Sequence, residues 1–436
     1  MTDNLSVNQK PKTKGIKPMN QKSGFNKFLL LWSGEIISAI GGGLTSFGLS
    51  VYVFKQTGSA GSMALVALLA FLPTLLLSAP AGVLADRYDR RLLMMIGDGL
   101  SALGLIYILI CMMRGGAELY QICIGVFISS VFSSLLEPAY RATVTDLLTK
   151  EEYSRASGMV SIAGSARYLI SPIIAGLLLT VSDVKLLLVI DIATFVLTVI
   201  CTAIVRKGIS AKTAEQKESF IESFKEGWHA ITKKRGIMIL IIVSSVMTCF
   251  MGTLQILSEP MILDFTDSEM LGIAETLCAS GMLVSGIFIG IFGIKKNFTG
   301  VLSTSLALAG LAMIGFALKE DIILICLFGF IFFFMLPFAN NCLDYLTRTN
   351  IDPDKQGRAW GLISLLSQIG YVVAYGGAGF LADKISAAHQ VGVGRGAAVV
   401  VMISGALLAV TAIVLYMFRD VRALEDDKHN EEATTF

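Results

Sequence analysis

Glu35 and Arg167 are opposite charges set inside long apolar stretches, Phe28 to Phe54 and Gly158 to Val181. A charged side chain at the middle of a bilayer costs about 2.5–3.5 kcal/mol on insertion scales unless it is paired or hydrated. Both stretches are entered from the same side, and at about 1.5 Å per residue the two charges sit roughly 10 and 13 Å deep. Two opposite charges at a similar depth suit either a proton-coupling role or a static ion pair that fixes packing. Asp191, in Leu186 to Val205, is a third buried charge and is open between a second proton site and a structural contact. His229, His389 and His429 fall outside every apolar stretch, so a carried proton must ride on carboxylates, to which burial gives the proton affinity.

The residues Gly82 to Arg91 include Asp86, Arg87, Asp89, Arg90 and Arg91 between two almost uncharged stretches, the pattern of a short aqueous loop joining two membrane helices. Asp86 is placed to meet a helix amino terminus, whose unpaired N–H groups favour negative charge. Asp98 is expected to buttress this loop, Glu137 and Asp344 to pair with Arg141 and Arg348 at helix ends, and Glu259, Asp264 and Glu275 to form a solvated rim. Trp32, Gln255, Asn340, Asn341, Gln368, Tyr371 and Tyr375 lie at mid-depth among phenylalanines and methionines such as Met247, Met251 and Phe333. Such a lining suits a large amphipathic, mainly apolar molecule. The glycines of Gly41-Gly42-Gly43, Gly286 with Gly290, and Gly376-Gly377 with Gly379 are expected to let helices approach closely. No Gly-Lys dipeptide occurs, which excludes a P-loop and ATP hydrolysis within this chain. The cysteines sit in apolar stretches without metal-ligand spacing. No enzyme chemistry, cofactor, metal or nucleic-acid partner is expected.

These residues need a membrane to position them. With 54% hydrophobic and 16% charged residues, the chain cannot hide its apolar side chains in one water-soluble core. Spans of about 20 apolar residues recur twelve times, and helices satisfy their own backbone hydrogen bonds in lipid, so the fold class is an all-α membrane protein. The expected organisation is a tail at 1–27, a six-helix bundle at 28–205, a linker with an amphipathic helix at 206–235, a second six-helix bundle at 236–418 and a tail at 419–436. No removed secretory signal is expected at the start. Most lysines and arginines fall in one set of loops, which places both termini and the linker in the cytoplasm of a multi-pass cell-membrane protein. Residues Arg155 to Gly176 align without a gap on Arg358 to Gly379, matching Arg155 with Arg358, Gly158 with Gly361, Tyr168 with Tyr371 and Gly176 with Gly379. That repeat predicts two halves related by an axis along the membrane normal.

Gly82-x-Leu84-Ala85-Asp86-Arg87-x-x-Arg90-Arg91 between the second and third spans resembles the hallmark loop of the major facilitator superfamily. Trp32-x-Gly34-Glu35-x-x-Ser38-x-x-Gly41, with Ser171-Pro172 and Asp191, is similar to the macrolide-efflux-like, drug:proton antiporter members. Asp89 departs from the glycine usual at its position. The resemblance implies the major facilitator fold and a gate formed by Gly82, Asp86, Arg87, Arg90 and Arg91, with Asp86 docking at the start of the eleventh span near Arg358. The first and fifth spans are neighbours in that fold, which implies that Glu35 and Arg167 face each other or share the central cavity; with Asp191, for which the resemblance also permits a structural contact, they are the candidate proton-coupling residues. The expected function is export of amphipathic, macrolide- or drug-like molecules by proton antiport with alternating access, by a monomer. Export of an endogenous metabolite or siderophore, or uptake of a nutrient by symport, remains open, and a non-transporting scaffold or receptor is the reading from another class.

Overall fold

The computed structural model of the protein describes residues 21–206, 220–352 and 355–425. Much of the expected tails and the first part of the linker thus lie outside the described residues, at 1–20, 207–219 and 426–436. The first half holds α1 (Gln21–Thr57), α2 (Ala60–Arg87), α3 (Arg90–Met113), α4 (Leu119–Ser133), α5 (Leu136–Leu147), α6 (Lys150–Leu169), α7 (Ser171–Val181) and α8 (Val184–Arg206). A linker helix, α9 (Phe220–Thr232), precedes α10 (Arg235–Leu263), α11 (Ser268–Phe292), α12 (Phe298–Ala317), α13 (Ile322–Thr349), α14 (Gln356–His389) and α15 (Val393–Met417). Among the described residues, 12 helical spans are long and apolar enough to cross a membrane, with α4 and α5 forming one span and α6 and α7 another. The expected all-α fold of two six-helix halves is the observed one.

Proline explains where the two repeats diverge. Pro172 occupies the opening turn of α7, after a break at Ile170, where its missing N–H costs nothing. In the aligned repeat the partners of Ser171 and Pro172 are Ala374 and Tyr375, and α14 runs unbroken through them.

Within each half, glycine pairs bring backbones together: a Cβ at Gly104 would strike Gly125, and one at Gly310 would strike Gly405. Gly41 and Gly43 pack α1 against α8 and α7 as expected, and Gly379 meets Ala60. Gly42, Gly286, Gly290, Gly376 and Gly377 instead border open space, because their faces of α1, α11 and α14 meet no neighbouring helix. The stretch 419–425, expected as tail, is helical, and Glu425 accepts the Phe298 and Thr299 N–H groups at 2.9 and 3.2 Å, capping α12.

The halves meet through α2 with α14 and through α7 with α11. The close approaches, Gly379 on Ala60, Gly272 on Pro172 and Gly176 on Ser268, all lie toward the end away from the Arg87–Arg91 loop. Toward the basic end Gly82, Gly158 and Gly361 border open space. The packing that joins the halves is thus concentrated at the non-basic end.

Candidate functional site

Three acids from three helices converge inside the first half. Asp98 on α3 and Asp191 on α8 are 4% and 2% exposed, and Glu35 on α1 is half-buried. Asp98 lies beside Thr198 and within electrostatic range of both Glu35 and Asp191. Asp191 reaches α1 because a Cβ at Gly41 would occupy the space its Oδ1 takes, and Thr194 Oγ1 donates to it at 3.3 Å. The structure moves Asp98 from the arginine loop, where it was expected, into this cluster. An acid inside an apolar stretch was the available signal, as it was for Asp191.

Glu35 and Arg167 form no ion pair among the described residues. The charged neighbours of Glu35 are acidic, Glu137 and Asp98, whereas the charge of exposed Arg167 reaches Asp191 and Tyr375. Equal depth along two helices says nothing about the angle around each, and Arg167, in the last turn of α6, is exposed rather than turned to Glu35 in an ion pair.

Aromatic rings bridge the halves. Phe71 of α2 lies 5.5 and 5.8 Å, centroid to centroid, from Tyr371 and Tyr375 of α14, and these two tyrosines are 5.7 Å apart. The Tyr375 hydroxyl donates to Gln255 Oε1 at 3.1 Å, and the Tyr371 hydroxyl to Met251 Sδ at 3.1 Å. Gln368, one turn before Tyr371, keeps a buried Oε1 with no hydrogen-bond partner. Gln255, Gln368, Tyr371 and Tyr375 are therefore gathered in one place, with Phe71 as a member not foreseen. Trp32 is elsewhere: its indole N–H donates to the Met159 carbonyl at 2.6 Å and ties α1 to α6. Asn340 and Asn341 are exposed on α13.

The expected gate residues are engaged on their own sides. Arg90 Nη1 pairs with Asp146 at 2.9 Å and with the Ala142 carbonyl at 3.0 Å, and its Nη2 lies 3.7 Å from Asp86. Arg91, 2% exposed, pairs with Asp146 at 3.3 Å and Asp89 at 3.8 Å. Asp89 also caps the first turn of α3 and pairs with Arg206 at 2.7 Å, which gives this departure from the superfamily pattern a structural use. Arg87 is exposed, and Arg358 pairs with Glu226 of α9. Asp146 and Glu226, residues not foreseen, thus hold the arginines of the two sides. Glu137 pairs with Arg141 at 2.6 Å as expected, but Arg348 lies over the Trp360 ring at 5.2 Å rather than in an ion pair with Asp344. In the loop before α14, the hydrogen bond from Lys355 and the charges of Lys233 and Lys355 hold Asp352 below the usual carboxylate range.

The expected solvated rim is not one. Glu259 on α10 and Glu275 on α11 lie within electrostatic range of each other, Glu259 faces Ser50 of α1, and its Oε2 is buried without a partner. Only Asp264 is exposed, accepting the Gly394 N–H at 3.2 Å. A Glu259 carboxylate oxygen buried beside α1, rather than one open to water, is what sets this pair apart from a rim.

Known proteins resemble this chain over most of its length. Macrolide efflux protein A of Streptococcus pyogenes is 25% identical over 408 residues, covering 92% of this chain and 97% of that protein. The multidrug efflux pump Tap of Mycobacterium tuberculosis (strain ATCC 25618 / H37Rv) is 22% identical over 357 residues, covering 78% and 83%. A bacterial homologue of the iron transporter ferroportin, solved in an inward-facing state, superposes with a TM-score of 0.70 at 15% identity, covering 90% of this chain and 99% of that one. A bacterial homologue of the lysosomal transporter Spinster, also inward-facing, gives 0.68 at 14% identity, covering 95% and 99%. The sequence profile of the Major Facilitator Superfamily matches residues 31–375, and this multi-pass membrane transporter belongs to that family.

Proposed function

We propose that the protein exports amphipathic, macrolide- or drug-like molecules in exchange for protons by alternating access. The observation that carries this reading is the cluster of Glu35, Asp98 and Asp191, three acids gathered in an apolar bundle with Arg167 as the cation in range of Asp191. Proton uptake is the direct route by which such a cluster approaches neutrality, and its release is the coupled step. A proton moving down 100 mV supplies about 2.3 kcal/mol plus its concentration term. Phe71, Tyr371, Tyr375, Gln255 and Gln368 would form the substrate surface, aromatic with a few polar atoms, as an amphipathic ligand requires. The efflux relatives support the direction of transport. Arginine- and lysine-rich loops on the cytoplasmic side would make the described state inward-facing.

Everted membrane vesicles with an acidified interior should accumulate a macrolide or a cationic dye, and a protonophore should release it. Accumulation that survives the protonophore would remove proton coupling, and no movement of any such compound would remove the exporter reading.

Asp86 would act when the basic end closes, by docking at the start of α14. Asp86→Asn should keep expression and the twelve spans yet impair transport, and thiol-reagent access to cysteines placed at the basic mouth of the cleft should rise. Full transport with unchanged access would remove this gate.

A further inference from the structure

Asp383, near the end of α14, joins the two halves through hydrogen bonds to the first turn of α2. Ser59 Oγ donates to its Oδ2 at 2.6 Å, Gly61 N–H to the same oxygen at 2.9 Å, and Ala60 N–H to Oδ1 at 3.0 Å. Ser59 is itself the cap of α2, accepting the Ser62 N–H at 3.0 Å, so its hydroxyl proton is available to Asp383. The contact depends on small residues from both halves. A Cβ at Gly61 would meet the Phe380 ring at 2.8 Å and Asp383 Oδ2 at 2.9 Å, and one at Gly379 would strike the Ala60 carbonyl.

The residues around Asp383 repeat those around Asp86. Gly379-Phe380-Leu381-Ala382-Asp383-Lys384 reproduces Gly82-Val83-Leu84-Ala85-Asp86-Arg87, with glycine, leucine, alanine and aspartate at the same spacing and a basic residue next. The two copies end α2 and α14, which cross the molecule in opposite directions, so one lies at the basic end and the other at the opposite end. In the described state Gly379 is packed against α2, while Gly82 borders open space.

We propose that Asp383 is a positioning residue of the transport cycle, a latch that holds the non-basic end shut and must release before the basic end closes. The inference rests on the alternating-access reading above. The chemistry suits a contact made and broken in every cycle. A carboxylate at a helix amino terminus gains charge-assisted hydrogen bonds and the favourable end of the macrodipole. The N–H groups it takes are first-turn donors with no intrahelical partner, and water can satisfy them once the halves part. The latch therefore opens without leaving a buried polar group unpaired, which a break inside a helix could not do.

Hydrogen-exchange mass spectrometry on the full-length protein in lipid nanodiscs tests this. Asp383→Asn should speed exchange in the segment 59–62 about ten-fold, equivalent to about 1.4 kcal/mol, and slow exchange at the start of α14, 356–361, as the population moves toward the state closed at the basic end. Gly379→Val, which pries the same contact apart without touching the carboxylate, should give the same reciprocal pattern. Asp86→Asn should shift both segments the other way. Faster exchange at 59–62 in both variants with no change at 356–361 would make Asp383 a static cap and overturn the latch, as would no change at either segment. Transport by the wild type is read separately in everted vesicles. A wild type that moves no substrate while the reciprocal shift persists would remove the exporter reading and keep the latch.

Discussion

Glu35→Gln should abolish uphill export driven by a pH gradient while leaving substrate binding and downhill exchange measurable. The side chain lies on α1, half-buried, with Glu137 and Asp98 as its charged neighbours and no ion pair among the described residues. An unpaired carboxylate in that setting is expensive as an anion, by about 2.5–3.5 kcal/mol at a helix centre on insertion scales. A bound proton is thus part of its resting chemistry in the proposed cycle, and glutamine imitates that neutral form permanently. The carrier would still change state, because neither the aromatic seam nor the contacts between the halves involve Glu35. What it would lose is the obligation to exchange a proton for substrate. The measurement is substrate accumulation in everted vesicles with and without the gradient, beside counterflow of labelled substrate at equal pH. A Gln variant that still concentrates substrate would move the coupling site to Asp98 or Asp191, each to be replaced by Asn in turn.

The largest effect on stability is expected from Asp146→Ala. Asp146 accepts both Arg90, at 2.9 Å, and Arg91, at 3.3 Å, and Arg91 is nearly inaccessible at 2% exposure. Removing the acid leaves a buried cation with only the longer contact to Asp89, and breaking a buried pair from one side costs about 3–5 kcal/mol. The variant should unfold at markedly lower temperature or denaturant in detergent. Arg91→Met combined with Asp146→Leu should recover part of the loss, since it removes both charges together. A loss below about 1 kcal/mol would be that of a solvated surface pair and would contradict the buried network.

Both predictions use residues that differ in how openly the sequence announced them. Glu35 was legible at once, because a charge within an apolar span stands out against its neighbours whatever the fold. Asp146 was not, since an acid near the end of a span reads like any other loop charge until α3 and α5 are placed side by side. Trp32 differs again: an aromatic with a polar edge suits a cavity or a packing bridge equally, and only the structure shows its indole N–H on the Met159 carbonyl at 2.6 Å.

The amino-acid sequence by itself determined the number of spans, the all-helical class and the two-half organisation. Those follow from hydropathy, from the 1.5 Å rise of a helix and from the requirement that backbone polar groups be satisfied within lipid. Only the tertiary structure decided which charges meet. Depth is a single coordinate, and the angle around each helix is set by packing, by Gly41 letting Asp191 reach α1 and by Pro172 breaking the span after Arg167. The joining of Ser59, Ala60 and Gly61 to Asp383, so distant along the chain, likewise comes from the packing of α2 against α14.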